Sequence, residues 1–218
     1  MSIRNDVLDL FFPPRCAFCH RLLPSQGNGV CTDCEKNLPY TSGSDIKQRV
    51  PFVSCVIAPL YYEGSVRESL LRYKFGRCTG YADVYARILV TCLQESSDIK
   101  YDLVSWVPLS AKRLRKRGYD QARLVAEKTA ALLEIEAVPT LRKVRNVRAQ
   151  SGVGSAEKRR ANISGAYAVP DVKAVEGKKI LLVDDIITTG STLSECARTL
   201  GMAGAGKTSA AAVARHRD

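Results

Sequence analysis

Asp184 and Asp185 stand together at the end of the apolar run Ile180–Val183, and Thr188, Thr189, Gly190, Ser191 and Thr192 follow closely. The run reads as a buried strand that delivers two carboxylates at its end. The hydroxyl-rich turn after it opens a helix. Such a turn offers backbone N–H groups, hydroxyls and the positive end of a helix, all suited to a phosphomonoester. The two carboxylates suit sugar hydroxyls beside that phosphate. Gly190 permits close backbone approach. The bland alternative is an acidic N-cap on an ordinary helix, which does not require strand, acid pair and turn to occur together.

A second constellation is made of thiols. Cys16, Cys19, Cys31 and Cys34 follow the spacing C-x2-C-x11-C-x2-C. Each CxxC is a tight turn that aims two sulfurs at one point, and two such turns supply the tetrahedral sulfur set that structural zinc prefers. The segment has little apolar material of its own, so it needs the metal to fold. His20 adjoins Cys19 and is the spare candidate ligand. With all four positions filled by cysteine, the site is expected to be structural rather than catalytic.

Charge points to an anionic partner. The 218 residues carry a formal net charge of +11, and the stretch from Val107 to Gly165 holds fourteen basic and five acidic residues. A solubilising surface would intersperse the signs. A local excess suits phosphates, on a small molecule or on a nucleic-acid backbone. The composition, 45% hydrophobic and 25% charged, excludes a wholly disordered chain. No stretch approaches the ~18–20 unbroken apolar residues of a membrane span. The N-terminal MSIRNDVLDLFFPP carries Asp6 and Asp9 inside its apolar part, unlike an export signal, so a cytoplasmic location is expected.

The elements that must position these groups follow from periodicity. Ile3, Val7, Leu8 and Phe11 share a helical face, and Pro13-Pro14 stops that helix. Residues 1–45 are expected to form this helix and the cysteine module, and 46–218 the main domain. Thr41–Val50 reads as a linker. Strands are expected at Val53–Tyr62, Asp102–Val107, Lys179–Val183 and Ser209–Ala214. Helices are expected at Ser65–Tyr73, over Ala82–Leu93, at Gln121–Leu133 and at Thr192–Leu200. Alternating strands and helices imply an α/β fold with a mostly parallel, right-handed crossover sheet. Ligands of such sheets lie at the C-terminal ends of the strands.

The acid pair and its turn resemble the 5-phosphoribosyl-1-pyrophosphate (PRPP) signature of type I phosphoribosyltransferases. Further residues narrow the resemblance: Val107-Pro108-Leu109-Ser110, then Arg113, Arg117-Gly118-Tyr119-Asp120-Gln121-Ala122, Gln150, and Arg159, Asn162 and Gly165-Ala166-Tyr167. Together with the paired CxxC, they make the chain similar to the ComF family over Cys16–Ala214. Tyr119 and Tyr167 stand where that family has Phe, and Asp120 where it has Asn. Thr188 stands where purine-salvage transferases carry an acid, which argues against purine-base chemistry.

The resemblance implies a parallel-sheet type I phosphoribosyltransferase-like domain with a small N-terminal four-cysteine zinc module. It gives Asp184 and Asp185 the catalytic position at the ribose hydroxyls, with Mg²⁺ accompanying PRPP. Thr188 to Thr192 take the 5-phosphate. The Pro108-Leu109-Ser110 turn with Arg113 and Arg117 becomes the pyrophosphate loop. Arg142, Lys143, Arg145, Arg148 and Gln150 belong to a mobile loop that closes over PRPP. The family's link to DNA uptake implies two alternatives: phosphoribosyl transfer to an acceptor that no residue here identifies, or a non-catalytic accessory role on single-stranded nucleic acid. Arg72, Tyr73, Lys74, Phe75 and Arg77 interleave rings and charge in the manner of single-strand binders. Finally, Gly201–Thr208 matches the GxxxxGK[ST] formula. A helix precedes it and a strand follows, the reverse of a true P-loop, so it reads as a helix stop.

Overall fold

The computed structural model describes residues 13–24, 27–46, 49–96, 99–145 and 164–217. The helix expected over residues 3–11 lies outside them. In chain order the first elements are α1 (Thr32–Asn37), β1 (Val56–Ile57), β2 (Leu60–Tyr61), α2 (Gly64–Phe75) and α3 (Tyr81–Ser96). Then come β3 (Leu103–Trp106), α4 (Ala111–Arg117), α5 (Gln121–Leu133), β4 (Glu136–Ala137), β5 (Arg142–Lys143) and β6 (Tyr167–Ala168). β7 (Lys179–Ile187), α6 (Ser191–Met202) and β8 (Lys207–Arg215) close the domain.

Among the described residues the main sheet has six strands in the order β1-β8-β7-β3-β4, with β2 also on β8, and every pairing is parallel. The alternation of side chains along its strands divides the core in two. Ile57, Val104, Leu181, Val183, Ala211 and Val213 face α2, α3, α5 and the cysteine module. Val56, Leu103, Ile180, Leu182, Ala210 and Ala212 face α6 and the β5–β6 ribbon. β8 is largely alanine at its centre, which leaves room for large rings on the first face. Tyr73 and Tyr85 are fully buried there, 5.2 Å apart and edge-on. Buried hydroxyls need partners. Tyr73 donates to Gln121 O at 2.9 Å, and Tyr85 Oη shares a 2.6 Å bond with Ser69 Oγ.

Two expectations are modified. The strand expected at Val53–Tyr62 is present only as the two-residue pieces β1 and β2. Pro59, which has no N–H to donate, falls between them. The expected linker is structured where described. Gly43–Ile46 forms a 3₁₀ turn, Thr41 is buried and donates to Ala58 O at 2.7 Å, and Asp45 accepts from Tyr61 Oη. The P-loop-like formula is indeed the end of α6 leading into β8. No described helix is long and apolar enough to cross a membrane.

The cysteine module is docked on α2 and α3. Phe18 is fully buried and packs edge-on to Tyr85, with ring centroids 6.2 Å apart. Ser69 Oγ donates to Ala17 O at 2.5 Å, and Arg72 Nη2 donates to Phe18 O. Module and main domain therefore share one core across the boundary expected at residue 45.

Candidate functional site

The candidate site lies at the C-terminal ends of β7 and β3, which are adjacent strands. β7 runs four residues past the strand end expected at Val183, so Asp184 and Asp185 sit within it rather than after it. Successive residues of a strand point to opposite faces, and the acid pair is split accordingly. Asp185 lies on the α2 side, where Lys74 Nζ is 3.0 Å from its Oδ1 and both side chains are about 15% exposed (16% and 15%). Asp184 lies on the α6 side, where it acts electrostatically on Tyr167, Cys196 and Lys143. Asp184 Oδ1 accepts the Asp185 N–H at 2.8 Å. Burial, and then the neighbouring charge of Asp185, push the Asp184 carboxyl up to about 8, against the pull of Lys74.

Gly190 occupies the left-handed region at φ 69° and starts α6. A Cβ there would lie 2.5 Å from Val50 Cγ2, so the glycine is required by the fold before any ligand is considered. Thr188 and Thr189 are exposed, and Thr189 Oγ1 meets Ser191 Oγ at 2.8 Å. Ser191 and Thr192 form the first turn of α6, whose leading amides lack intrahelical acceptors. This end of the helix can receive an anion.

On β3 the chain turns through Pro108, Leu109 and Ser110. Ser110 Oγ caps α4 by accepting from Arg113 N at 3.4 Å. Asp120 holds the turn from below. Its Oδ2 accepts Leu109 N at 2.9 Å while its Oδ1 caps α5 through Arg123 N at 3.3 Å. Burial raises the Asp120 carboxyl above its ordinary range despite these bonds. Helix α4 has no buried residue. Arg113 is exposed, and Arg117 donates to Gln121 Oε1 at 2.6 Å.

Of the expected mobile loop, Arg142 and Lys143 form β5, paired antiparallel with β6. Lys143 turns inward: its Nζ donates to Tyr167 Oη at 3.1 Å, and burial, followed by Arg113, lowers its pKa. Arg142 is exposed, and Arg145 donates to Ser164 O at 2.5 Å. Arg148 and Gln150, like Arg159 and Asn162, lie outside the described residues. Two residues take places in the structure that the sequence pattern does not give them. Lys74 was visible only as part of a basic–aromatic run, and its pairing with Asp185 depends on how α2 crosses the sheet. Lys143 belongs to the expected loop, and its inward turn has no sequence signal because a two-residue strand leaves no periodicity.

The thiols of Cys16, Cys19, Cys31 and Cys34 lie within 4.8 Å of one another. Cys19 Sγ and Cys31 Sγ are 3.6 Å apart. Sulfurs on a tetrahedron with Zn–S near 2.3 Å are separated by ~3.8 Å, so the set fits zinc. Burial opposes ionisation of Cys16, but the amides of Cys19, Cys31 and Phe18 outweigh it and bring the thiol down to about 7. His20 is turned away from the cluster, its Nδ1 3.0 Å from Tyr81 Oη. The donor set is the four sulfurs, and it supports a structural zinc.

Comparison with known proteins agrees with both parts. The phosphoribosyl transferase domain family matches residues 120–218, and the double zinc ribbon domain matches residues 7–44. The chain is 29% identical over 212 residues to Competence protein F of Haemophilus influenzae, covering 87% of this chain and 92% of that one. It is 31% identical over 212 residues to DNA utilization protein YhgH of Salmonella typhi, covering 88% and 92%. With Competence protein ComFC of Bacillus subtilis it shares 26% over 187 residues, covering 85% and 70%.

Proposed function

The chain belongs to the ComF family, and from that premise we propose that it binds PRPP with Mg²⁺ at the C-terminal ends of β7 and β3. The supporting observation is that one edge of the sheet gathers the acid pair, the Thr188–Thr192 turn at the head of α6, and the Pro108–Ser110 turn. In this reading Asp184 and Asp185 accept the ribose hydroxyls. Thr188 to Thr192 hold the 5-phosphate through amides and hydroxyls. The amides of the Pro108–Ser110 turn, with Arg113, Arg117 and Lys143, face the diphosphate. Mg²⁺, when bound, offsets the charge of the diphosphate. Displacement of pyrophosphate at C1 builds positive charge on the ribose, and the carboxylates stabilise it.

The experiment is calorimetric titration of PRPP with and without Mg²⁺. Asp184→Ala and Asp185→Ala each remove a charged acceptor and should weaken binding by about 1.5–3 kcal/mol. Absence of Mg²⁺-dependent binding to the wild type would remove the reading.

A second reading, accessory binding of single-stranded DNA in the cytoplasm, is favoured by the relatives named for competence and DNA utilization and by exposed cations such as Arg142. Binding of that kind is salt-dependent, with a slope near −0.7 per neutralised phosphate on single strands. Alanine at Arg142, Arg145 and Arg148 should flatten the slope. No affinity for single strands at low salt would exclude it.

A further inference from the structure

On the face of the sheet where Asp185 lies, the end of α2 and the basic helix α4 enclose a cleft of about 380 Å³. Its cations are Lys74, Arg77, Arg113, Lys116 and Arg117, and its rings are Phe75 and Tyr119. The volume falls in the range of small-ligand sites, ~300–1,000 Å³. Lys74 is neutralised by Asp185. Arg77, Arg113 and Lys116 make no ion pair to a described carboxylate. Like charges facing one concavity repel, and a bound anion would relieve that repulsion.

The rings narrow the class of anion. Phe75 leaves 65% of its surface in solvent at the end of α2, and the Arg117 guanidinium stacks on it 5.0 Å from the ring centroid. Next to it, Arg77 is held in the left-handed region at φ 57°. That conformation is unfavourable for a residue with a Cβ, and Gly76 alongside does not take it. A bare oxyanion would need only the cations. Cations together with an exposed, guanidinium-stacked ring suit a ligand with both a phosphate and a planar face.

We infer that this cleft is a nucleotide-binding site: Arg77 and Lys116 take a phosphate, and the base lies against the Phe75–Arg117 stack. The inference asks nothing of Asp184 or of the Thr188–Thr192 turn; it shares Arg113 and Arg117 with the diphosphate position proposed above, and rests on Phe75, Arg77 and Lys116, which that position does not use, so variants of those three separate it from PRPP binding. Because Lys74 lines the cleft and also meets Asp185, a nucleotide bound there would lie beside whatever that carboxylate holds. A free mononucleotide and the terminal nucleotide of a single strand share this chemistry.

The test is calorimetry on the full-length, zinc-loaded protein with AMP, and with adenosine and inorganic phosphate as partial probes. AMP should bind at least tenfold more tightly than either partial probe. Phe75→Ala and Lys116→Ala should each weaken AMP at least fivefold. Arg77→Gly relieves the backbone, so it should hold or raise the melting temperature while weakening AMP by a similar factor, which separates binding from folding. AMP should still bind when PRPP and Mg²⁺ are saturating. A 5′-phosphorylated trithymidylate no tighter than TMP assigns the free nucleotide, and one more than tenfold tighter assigns a strand end. The inference is overturned if AMP fails to bind, if inorganic phosphate binds as well as AMP, if Phe75→Ala has no effect, or if PRPP displaces AMP competitively. A wild type that binds AMP but not PRPP would remove the PRPP reading and leave this one intact.

Discussion

Leu109 donates its amide to Asp120 Oδ2 at 2.9 Å, and through that one bond a side chain at the head of α5 sets the shape of the turn that follows β3. The same carboxylate caps α5. Asp120→Ala breaks both links. Loss of a cap costs about 1 kcal/mol, and the unpaired Leu109 amide adds roughly another 1–3 kcal/mol where it is desolvated. Asp120→Asn keeps one acceptor oxygen, so we expect it to retain most of the stability. Thermal melts of the two variants check this, and equal melting temperatures would mean that neither bond matters.

Asp184 gives a pH dependence with a definite sign. Its folded pKa is raised, to about 8, so between pH ~4 and 8 the folded chain holds a proton that the unfolded chain has released. This group therefore takes stability away as pH rises through that window. A ligand that needs the carboxylate gains in the same direction. PRPP affinity should rise by up to about tenfold per unit from pH 6 to 8 and then level off. Asp184→Asn, measured in parallel, should lack that component, which separates it from ionisation of the ligand. Superimposable pH profiles for the two proteins would contradict it.

Gly190 is constrained twice, by its positive φ and by Val50. Gly190→Ala should destabilise the ligand-free protein by about 1–3 kcal/mol. Pairing it with Val50→Ala should recover the steric part and leave the conformational part. A denaturant series on the single and double variants reads the difference. No recovery would mean that the contact with Val50 is not the cause.

The four thiolates should hold about one zinc per chain, measurable by metal analysis of protein purified without chelator. Serine at any of Cys16, Cys19, Cys31 or Cys34 should release it. Phe18 and Ala17 are fully buried against α2 and α3, so the loss should lower the melting temperature of the whole chain, not only of the module. Zinc-free protein with an unchanged melt would refute both statements.

The sequence makes the main lines legible for physical reasons. Gln121–Leu133 is a helix with a regular buried face, and its expected and observed limits coincide. The thiol cluster is legible because spacing alone brings two CxxC turns together. What stays hidden is set by crossings and by very short elements. Nothing local to Lys74 announces Asp185, more than a hundred residues away. Nor does the pair Asp184-Asp185 announce its own division. Two adjacent acids read as one feature, yet continuation of β7 to Ile187 sends them to opposite faces. The role of Asp120 was hidden in a similar way, since a cap can be guessed from Asp before a helix but its bond back to Leu109 cannot.

The interruption of the sheet's outer strand at Pro59 bears on solubility. An exposed edge strand is a template for pairing with another chain, and proline or brevity blunts it. Here β1 and β2 are two residues each, and the opposite edge, β4, is also two. The segment leaving the cysteine module covers part of what remains: Tyr40 bridges Leu60, Thr41 N donates to Pro59 O at 2.9 Å, and Tyr61 N donates to Pro39 O at 2.8 Å. The module's exit therefore acts as a guard against strand-to-strand aggregation. Chain that loses its zinc would uncover that edge, and its failure would then take the form of self-association rather than simple unfolding.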